Sequence, residues 1–380
     1  MGVDMQKLSI RVLSSQQGSI QGFDEQALDW DALAKGHDLA IESLDSWVST
    51  PSGSHCDLVL VFDVLTDKSK KIQIFTDISR HFPTAVRALV CDDVDVLHLN
   101  DAGLVHFSLP SNDLARALLA LLPRIRLLQQ LGLDFKLRTQ LCQLRHLPVL
   151  PEPYLRLMRL LRAKDVDINS IVKAVKRDQV LLGKVLHAAN ASTLVLGHTV
   201  TDAHEAVVRL GLDRMYYLVI VVGVFVNLPK TSQFQRSRAL SVAMDVAYWA
   251  AKLGTDLDVS RGSVDKCYLA GLLHNIGDLV IALVEQDDMD LSSAFDFSYG
   301  DAAAPGAFWL ALWGFDSQVV NAVAQQGSLL SVDLENNQIP SLLMLAKIFE
   351  EARRSGDLAE RLSQLKFADP SVIDQLLLME

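Results

Sequence analysis

The segment LAGLLHNIGDLV, Leu269 to Val280, places one imidazole in an otherwise apolar helical pattern. A polar ring in such a setting has to be hydrogen-bonded, or has to bind something. His274 is followed by Asn275 and then, past Ile276 and Gly277, by Asp278. A second carboxylate, Asp63, closes the β-branched run DLVLVFDV at Asp57 to Val64. By itself it reads as a strand-end or turn carboxylate. Cys56, Cys91, Cys142 and Cys267 are widely spaced and include no CxxC pair, so neither a zinc site nor a disulfide framework is expected. Trp309 and Trp313 stand at i,i+4, a spacing that packs a core or interface more often than it stacks bases. The scattered cations Lys184, Arg209 and Arg214 point to no anion site. Dinucleotide-binding, Walker A, nucleophile-elbow and HExxH patterns are missing from the chain.

These residues need elements to hold them. The first part reads as a small α/β domain. Residues 7–13 and 57–64 predict strands, as does Thr84 to Asp92. Leu33 to Val48 reads as an amphipathic helix, Ile72 to Phe82 as a second, and Asn112 to Leu131 as a third that Ser111 can cap. Short segments at Val94 to Leu99 and Gly103 to Phe107 lie between the last two. Strands alternating with helix-length segments argue for a parallel sheet. Past residue 140 almost every segment carries 3.6-residue periodicity: 152–161, 168–176, 179–190, 202–210, 212–226, 237–253, 264–284, 302–312, 316–325, 339–355 and 370–378. Gly211, Gly254, Gly300 and Gly314 punctuate the runs, and no strand signal stands out. The predicted organisation is an α/β domain over 7–132 and an all-α domain over 140–380.

Composition limits what such a protein can be. The 380 residues are 50% hydrophobic and 21% charged, enough for a sizeable core and unlike a disordered chain. The formal charge of -11 argues against non-specific grip on nucleic acid or anionic lipid. The longest apolar stretch, Tyr217 to Val226, is shorter than the roughly 20 residues that span a bilayer. The start, MGVDMQKLSIRVLSS, has no long apolar run and no myristoylation pattern. A cytoplasmic protein with no membrane and no nucleic-acid partner is expected.

The Leu269–Val280 segment resembles the helix of the HD superfamily of metal-dependent phosphohydrolases, in which a His-Asp pair sits in an LLHDIG context. Such enzymes use metal-bound water against phosphate esters. Asn275 stands where that resemblance puts the Asp, and a neutral amide is a weak ligand for a hard cation. The segment similar to the family's upstream histidine helix, QRSRALSVAMDVAYWAAKLG, offers no His over Gln235 to Arg238. Downstream, YGDAAAPGAFWLALWGFDSQVVNAVAQQ has Asp301 and Ala302 at one histidine place and Gln325 and Gln326 at the other. One retained histidine does not make a metal site.

Three further blocks narrow the resemblance to the HDOD domain, the HD-related output domain. They are LRHLPVLPEPYLRLMRLL at 144–161, VKRDQVLLGKVLHAANAS at 175–192 and VTDAHEAVVRLGLDRMYYLVI at 200–220. Asp178, Asn190 and Gly211 stand at motif positions. Gln179 and Ala191 depart from the usual Pro and Ser. Asn190 also has a plain reading, as a left-handed helix end or an amide cap. HDOD domains are catalytically silent helical relatives of the phosphohydrolases in bacterial signalling proteins, often beside a receiver.

The first half in turn resembles a degenerate response-regulator receiver. Asp63 falls at the phosphoacceptor place. Ser14, Ser15 and Gln16 replace the acidic pair that would hold magnesium, and Asp24 and Asp31 are too distant to restore it. Val90 and Cys91 stand in place of the Thr or Ser, and Leu109 in place of the Lys before Pro110. The resemblance implies a pseudo-receiver.

Together these readings predict a non-catalytic bacterial signal-transduction protein. It would act by protein–protein interaction with other signalling proteins or by self-association, with no catalytic residue, no metal and no cofactor. Three alternatives stand beside it. One is a phosphohydrolase or cyclic-nucleotide phosphodiesterase around His274, Asp278 and Asp265. Another is a nucleotide sensor that uses His274 and Asn275 in the old cleft. The last keeps Asp63 as a true phosphoacceptor.

Overall fold

The computed structural model of the chain describes residues 7–14, 33, 35–44, 55–62, 68–91, 104–143, 152–191, 200–226, 233–286, 302–328 and 331–378. Asp63, Ser15, Gln16, Asp24, Asp31 and the 94–99 segment lie outside them. The chain divides into two compact units. The first takes the described residues up to 143 together with 283–286 and 310–314; the second takes the rest.

The first unit holds five parallel strands: β1 (Ser9–Ser14), β2 (Asp38–Ser43), β3 (Leu58–Phe62), β4 (Val86–Val90) and β5 (Phe107–Leu109). Their order is β2-β1-β3-β4-β5, the doubly wound 2-1-3-4-5 arrangement. Every residue of β3 and β4 is buried, as expected of strands covered on both faces. Helix α1 (Lys68–His81) contributes Phe75 and Ile78, which join Phe82, Leu13, Val59 and Val61 in one apolar core. Helix α2 (Leu114–Gln130) buries Leu114, Leu118, Leu121, Ile125 and Leu128 at helical spacing.

Two expectations are corrected here. The amphipathic helix expected over Leu33–Val48 holds at residues 33, 35 and 36 and from Asp38 gives way to β2, which pairs with β1 from Ser9↔Asp38 to Ser14↔Ser43. In DLAIES the apolar residues Leu39 and Ile41 alternate, so a short run fits period 2 as well as 3.6, and the open edge of β1 decides. Ser111 does not cap α2; it opens a single 3-10 turn (Ser111–Asp113), and Asp113 precedes the helix without a side-chain cap bond.

Helix α3 (Phe135–Gln143), absent from the sequence reading, is tied to this sheet by buried polar groups. Arg138 donates to the Thr84 carbonyl at 3.0 Å and reaches the Asp57 carboxylate at 3.3 Å. Asp57, wholly buried, also accepts from the Ser9 amide and from Gln129, each at 2.9 Å. Arg87, buried in β4, donates to the carbonyls of Leu104 at 2.7 Å and Cys142 at 2.5 Å, and its burial pulls its pKa down to about 10.

The second unit is helical: α4 (Glu152–Leu161), α5 (Ile168–Arg177), α6 (Gln179–Ala191), α7 (Ala203–Leu210), α8 (Leu212–Val226), α9 (Gln233–Asp256), α10 (Arg261–Leu273), α11 (Ile276–Gln286), α12 (Ala303–Trp313), α13 (Ser317–Gln325), α14 (Gln338–Ser355), α15 (Leu358–Ser363) and α16 (Ser371–Leu377). Side-chain caps explain several starts: Asp167, Asp202, Ser260 and Asp316 each accept from an amide two or three residues on. Helix α9 packs against both α10 and α14. A two-residue parallel ladder, Ser331–Val332 with Lys366–Phe367, runs against the expectation of no strands here. Pairs this short leave no periodic trace in a sequence. Among the described residues no helix is long and apolar enough to cross a membrane.

Candidate functional site

The helix expected over Val264 to Val284 is broken. Helix α10 stops at Leu273, His274 and Asn275 form a turn, and α11 starts at Ile276. Three contacts hold the break. His274 Nδ1 lies 2.7 Å from the Gly271 carbonyl oxygen. A carbonyl only accepts, so Nδ1 carries the proton and Nε2 keeps the lone pair. The Gln326 amide donates to the His274 carbonyl at 2.6 Å. The Asn275 amide nitrogen donates to the Ala239 carbonyl of α9 at 2.8 Å. Tight backbone approach completes the turn: a Cβ on Gly277 would come within 1.7 Å of the Ala302 carbonyl oxygen, just ahead of α12.

His274 is 8% exposed, and burial lowers its pKa to about 4. It is neutral at pH 7. The unfolded ring, with an ordinary pKa near 6.5, binds a proton first as pH falls. The stability held above pH 6.5 is therefore lost between 6.5 and 4, up to ~3 kcal/mol. His274→Gln is expected to flatten the stability profile across this window, as read by urea midpoints at successive pH values. An unchanged slope would refute the assignment.

Asp278, at the start of α11, keeps part of its surface exposed; desolvation of its carboxylate raises its pKa and Lys347 opposes the rise. Lys347 comes from α14 and donates to Gln326 Oε1 at 3.1 Å. Burial lowers its pKa, and the charges of Glu351 and Asp278 push it back up. A protein ammonium is therefore set on Gln326, near enough to Asp278 for the two charges to influence each other. The sequence reading missed Lys347, although a lysine inside the apolar run LLMLAKIF is a visible signal. Gln325, the other half of the Gln pair, accepts from Asn337 at 3.2 Å. Asp265 is engaged by Arg214 at 3.4 Å and does not join the cluster.

A divalent metal fits this donor set poorly. One neutral imidazole, one amide already turned onto a backbone carbonyl and one carboxylate beside an ammonium make few anionic ligands. Among the described residues no three His, Cys, Asp or Glu side chains are grouped to hold an ion.

The other motif residues are structural where they are described. Asp178 caps α6, accepting at Oδ1 from the amides of Val180 and Leu181 and at Oδ2 from the Tyr154 hydroxyl at 2.8 Å. Asn190 brackets Val200, donating to its carbonyl at 2.8 Å and accepting from its amide at 2.7 Å. It works through its amide and not through a left-handed backbone. Gly211 joins α7 to α8 at φ 76°, ψ 163°, a region that only glycine enters readily.

The helical unit is thus of a kind whose centre is a histidine-bearing helix break closed by neighbouring helices. Residues 147–329 match the family model of the HDOD domain. An uncharacterized protein of Treponema pallidum (strain Nichols) is 28% identical over 134 residues, 35% of this chain and 26% of that one, so the chain spans about a quarter of this relative. A solved structure of an HDOD domain protein with unknown function from Geobacter sulfurreducens is 21% identical, covering 61% of this chain and 78% of that one, with a TM-score of 0.39. A candidate phosphohydrolase from Shewanella amazonensis SB2B is 23% identical, covering 63% and 94%, with a TM-score of 0.43.

Proposed function

We propose that the chain is a non-catalytic regulatory protein of bacterial signal transduction, acting through protein–protein interaction of its helical domain. The observation that carries this reading is the ammonium of Lys347, held on Gln326 beside Asp278 where a phosphohydrolase would need uncommitted anionic ligands. The N-terminal unit is read as a pseudo-receiver. The 2-1-3-4-5 strand order supports that reading, and so do Ser14, Val90 with Cys91, and Leu109, which end β1, β4 and β5 without the chemistry of phosphoryl transfer. A second reading, a nucleotide sensor, draws on Asn275 Oδ1, which is buried with no donor and could accept from a ligand.

Elemental analysis of protein purified without chelator tests the first reading. The expected result is well below one divalent ion per chain, with no phosphodiester hydrolysis that His274→Ala removes. Stoichiometric metal with His274-dependent hydrolysis would overturn it. A saturable thermal shift with nucleotides, lost in Asn275→Leu, would establish the sensor.

A further inference from the structure

Helices α4 and α5 and the start of α6 enclose an open groove of about 1020 Å3. Its apolar lining includes Leu157, Leu160, Leu181 and Val180, the last 51% exposed. Along it stand Arg156, Lys173 and Arg177, all exposed. None of the three has an ion pair among the described residues, whereas nearby Lys176 pairs with Asp202 and Arg162 with Asp213. In a chain of net charge -11, unpaired cations converging on one groove stand out against the excess of available carboxylates. The acidic residue in the lining, Asp178, offsets one of the three and leaves the groove net positive; its oxygens are turned onto the α6 amides and Tyr154, not onto the cations.

We propose that this groove docks an acidic amphipathic helix of a protein partner. The apolar floor would take one face of the helix, and the cations would pair with carboxylates along its flanks. A phosphate ligand is disfavoured: the first amides of α6 are already bonded to Asp178, and Tyr154, 4% exposed, offers no stacking face. The inference rests on the interaction reading above, but the two fail separately. Metal content tests that reading, and peptide binding tests this one.

The probe is a fluorescein-labelled peptide of about 18 residues, roughly five helical turns, with leucines at i, i+3, i+4 and i+7 and glutamates on the flanks. Its anisotropy is read with the full chain, beside a scrambled peptide and a lysine-flanked one. Saturable binding of the glutamate probe is expected, weakening as salt rises. The double variant Lys173→Glu, Arg177→Glu should bind it about tenfold or more weakly and should gain the lysine probe. Both sites are exposed, and an unchanged circular dichroism melt confirms that the variant folds. No saturable binding, equal binding of the scrambled peptide, or indifference to the charge reversal would overturn the proposal. Capture by phosphatidylserine vesicles in place of the peptide would overturn it in favour of a membrane surface.

Discussion

Gly277→Ala should unfold the junction that shapes the candidate site, lowering the stability of the helical unit by more than about 4 kcal/mol. The added Cβ would lie 1.7 Å from the Ala302 oxygen and 2.6 Å from its carbon, with the Gly306 amide nitrogen at 3.1 Å. All three are backbone atoms, so no rotamer change relieves the clash, and either α11 or the start of α12 has to move. Such a shift would also disturb the turn in which Gln326 and Asn275 hold their carbonyl partners. Urea titration followed by circular dichroism gives the measurement, with the helical unit's transition read by itself because two units need not unfold together. Gly306→Ala is the graded control. Its Cβ would meet the Gly277 nitrogen at 2.9 Å and the end of the Ile276 side chain at 3.0 Å, a milder crowding. Equal midpoints for Gly277→Ala and wild type would refute the close approach.

Asp57→Ala is expected to cost the first unit about 3–5 kcal/mol. The carboxylate has no exposure, and it serves Arg138, Gln129 and the Ser9 amide at once. Removing it strands a guanidinium that is itself 8% exposed and leaves the partly buried Ser9 amide without its acceptor. Arg138 keeps its bond to the Thr84 carbonyl, which offsets part of the loss. Asp57→Asn should fall between, since its one oxygen still accepts while the charge is gone. The double variant Asp57→Ala, Arg138→Met should recover much of the cost, because neither charge is then buried alone. A thermal scan of these variants, Arg138→Met by itself and the wild type decides the matter. Additive losses in the double variant would mean that the pair is not coupled.

Much of this architecture could be read from local pattern. Helices α4 to α8 begin and end within a residue or so of their predicted limits, because amphipathic spacing, Asp and Ser caps and Gly211 act over one or two turns. Strand β3 was visible as an unbroken apolar run and β4 as one interrupted by Arg87, the mark of a sheet covered on both faces. The residue types around His274 were equally legible, since Asn275, Gln325 and Gln326 are amides in any fold.

What stayed hidden depends on partners far away in the chain. Within residues 33–48 the alternation of Leu39 and Ile41 fits a strand no better than a helix; β2 exists because β1 offers an edge. The apolar periodicity of 264–284 continues straight through His274. At the break Gln326 takes up the His274 carbonyl that an unbroken helix would have paired internally, Ala239 accepts the Asn275 side-chain amide, and the Ala302 backbone lies close against Gly277, all from other segments. Lys347 reaches Gln326 only because α13 and α14 pack together, and the pairing of Asp57 with Arg138 waits on α3 meeting the sheet. Residue type and local spacing determined most of the helices, strands β3 and β4, and the amides that flank His274. The helix break, the lysine beside Asp278 and the cation-lined groove came from burial and long-range pairing, whose free energies no local window contains.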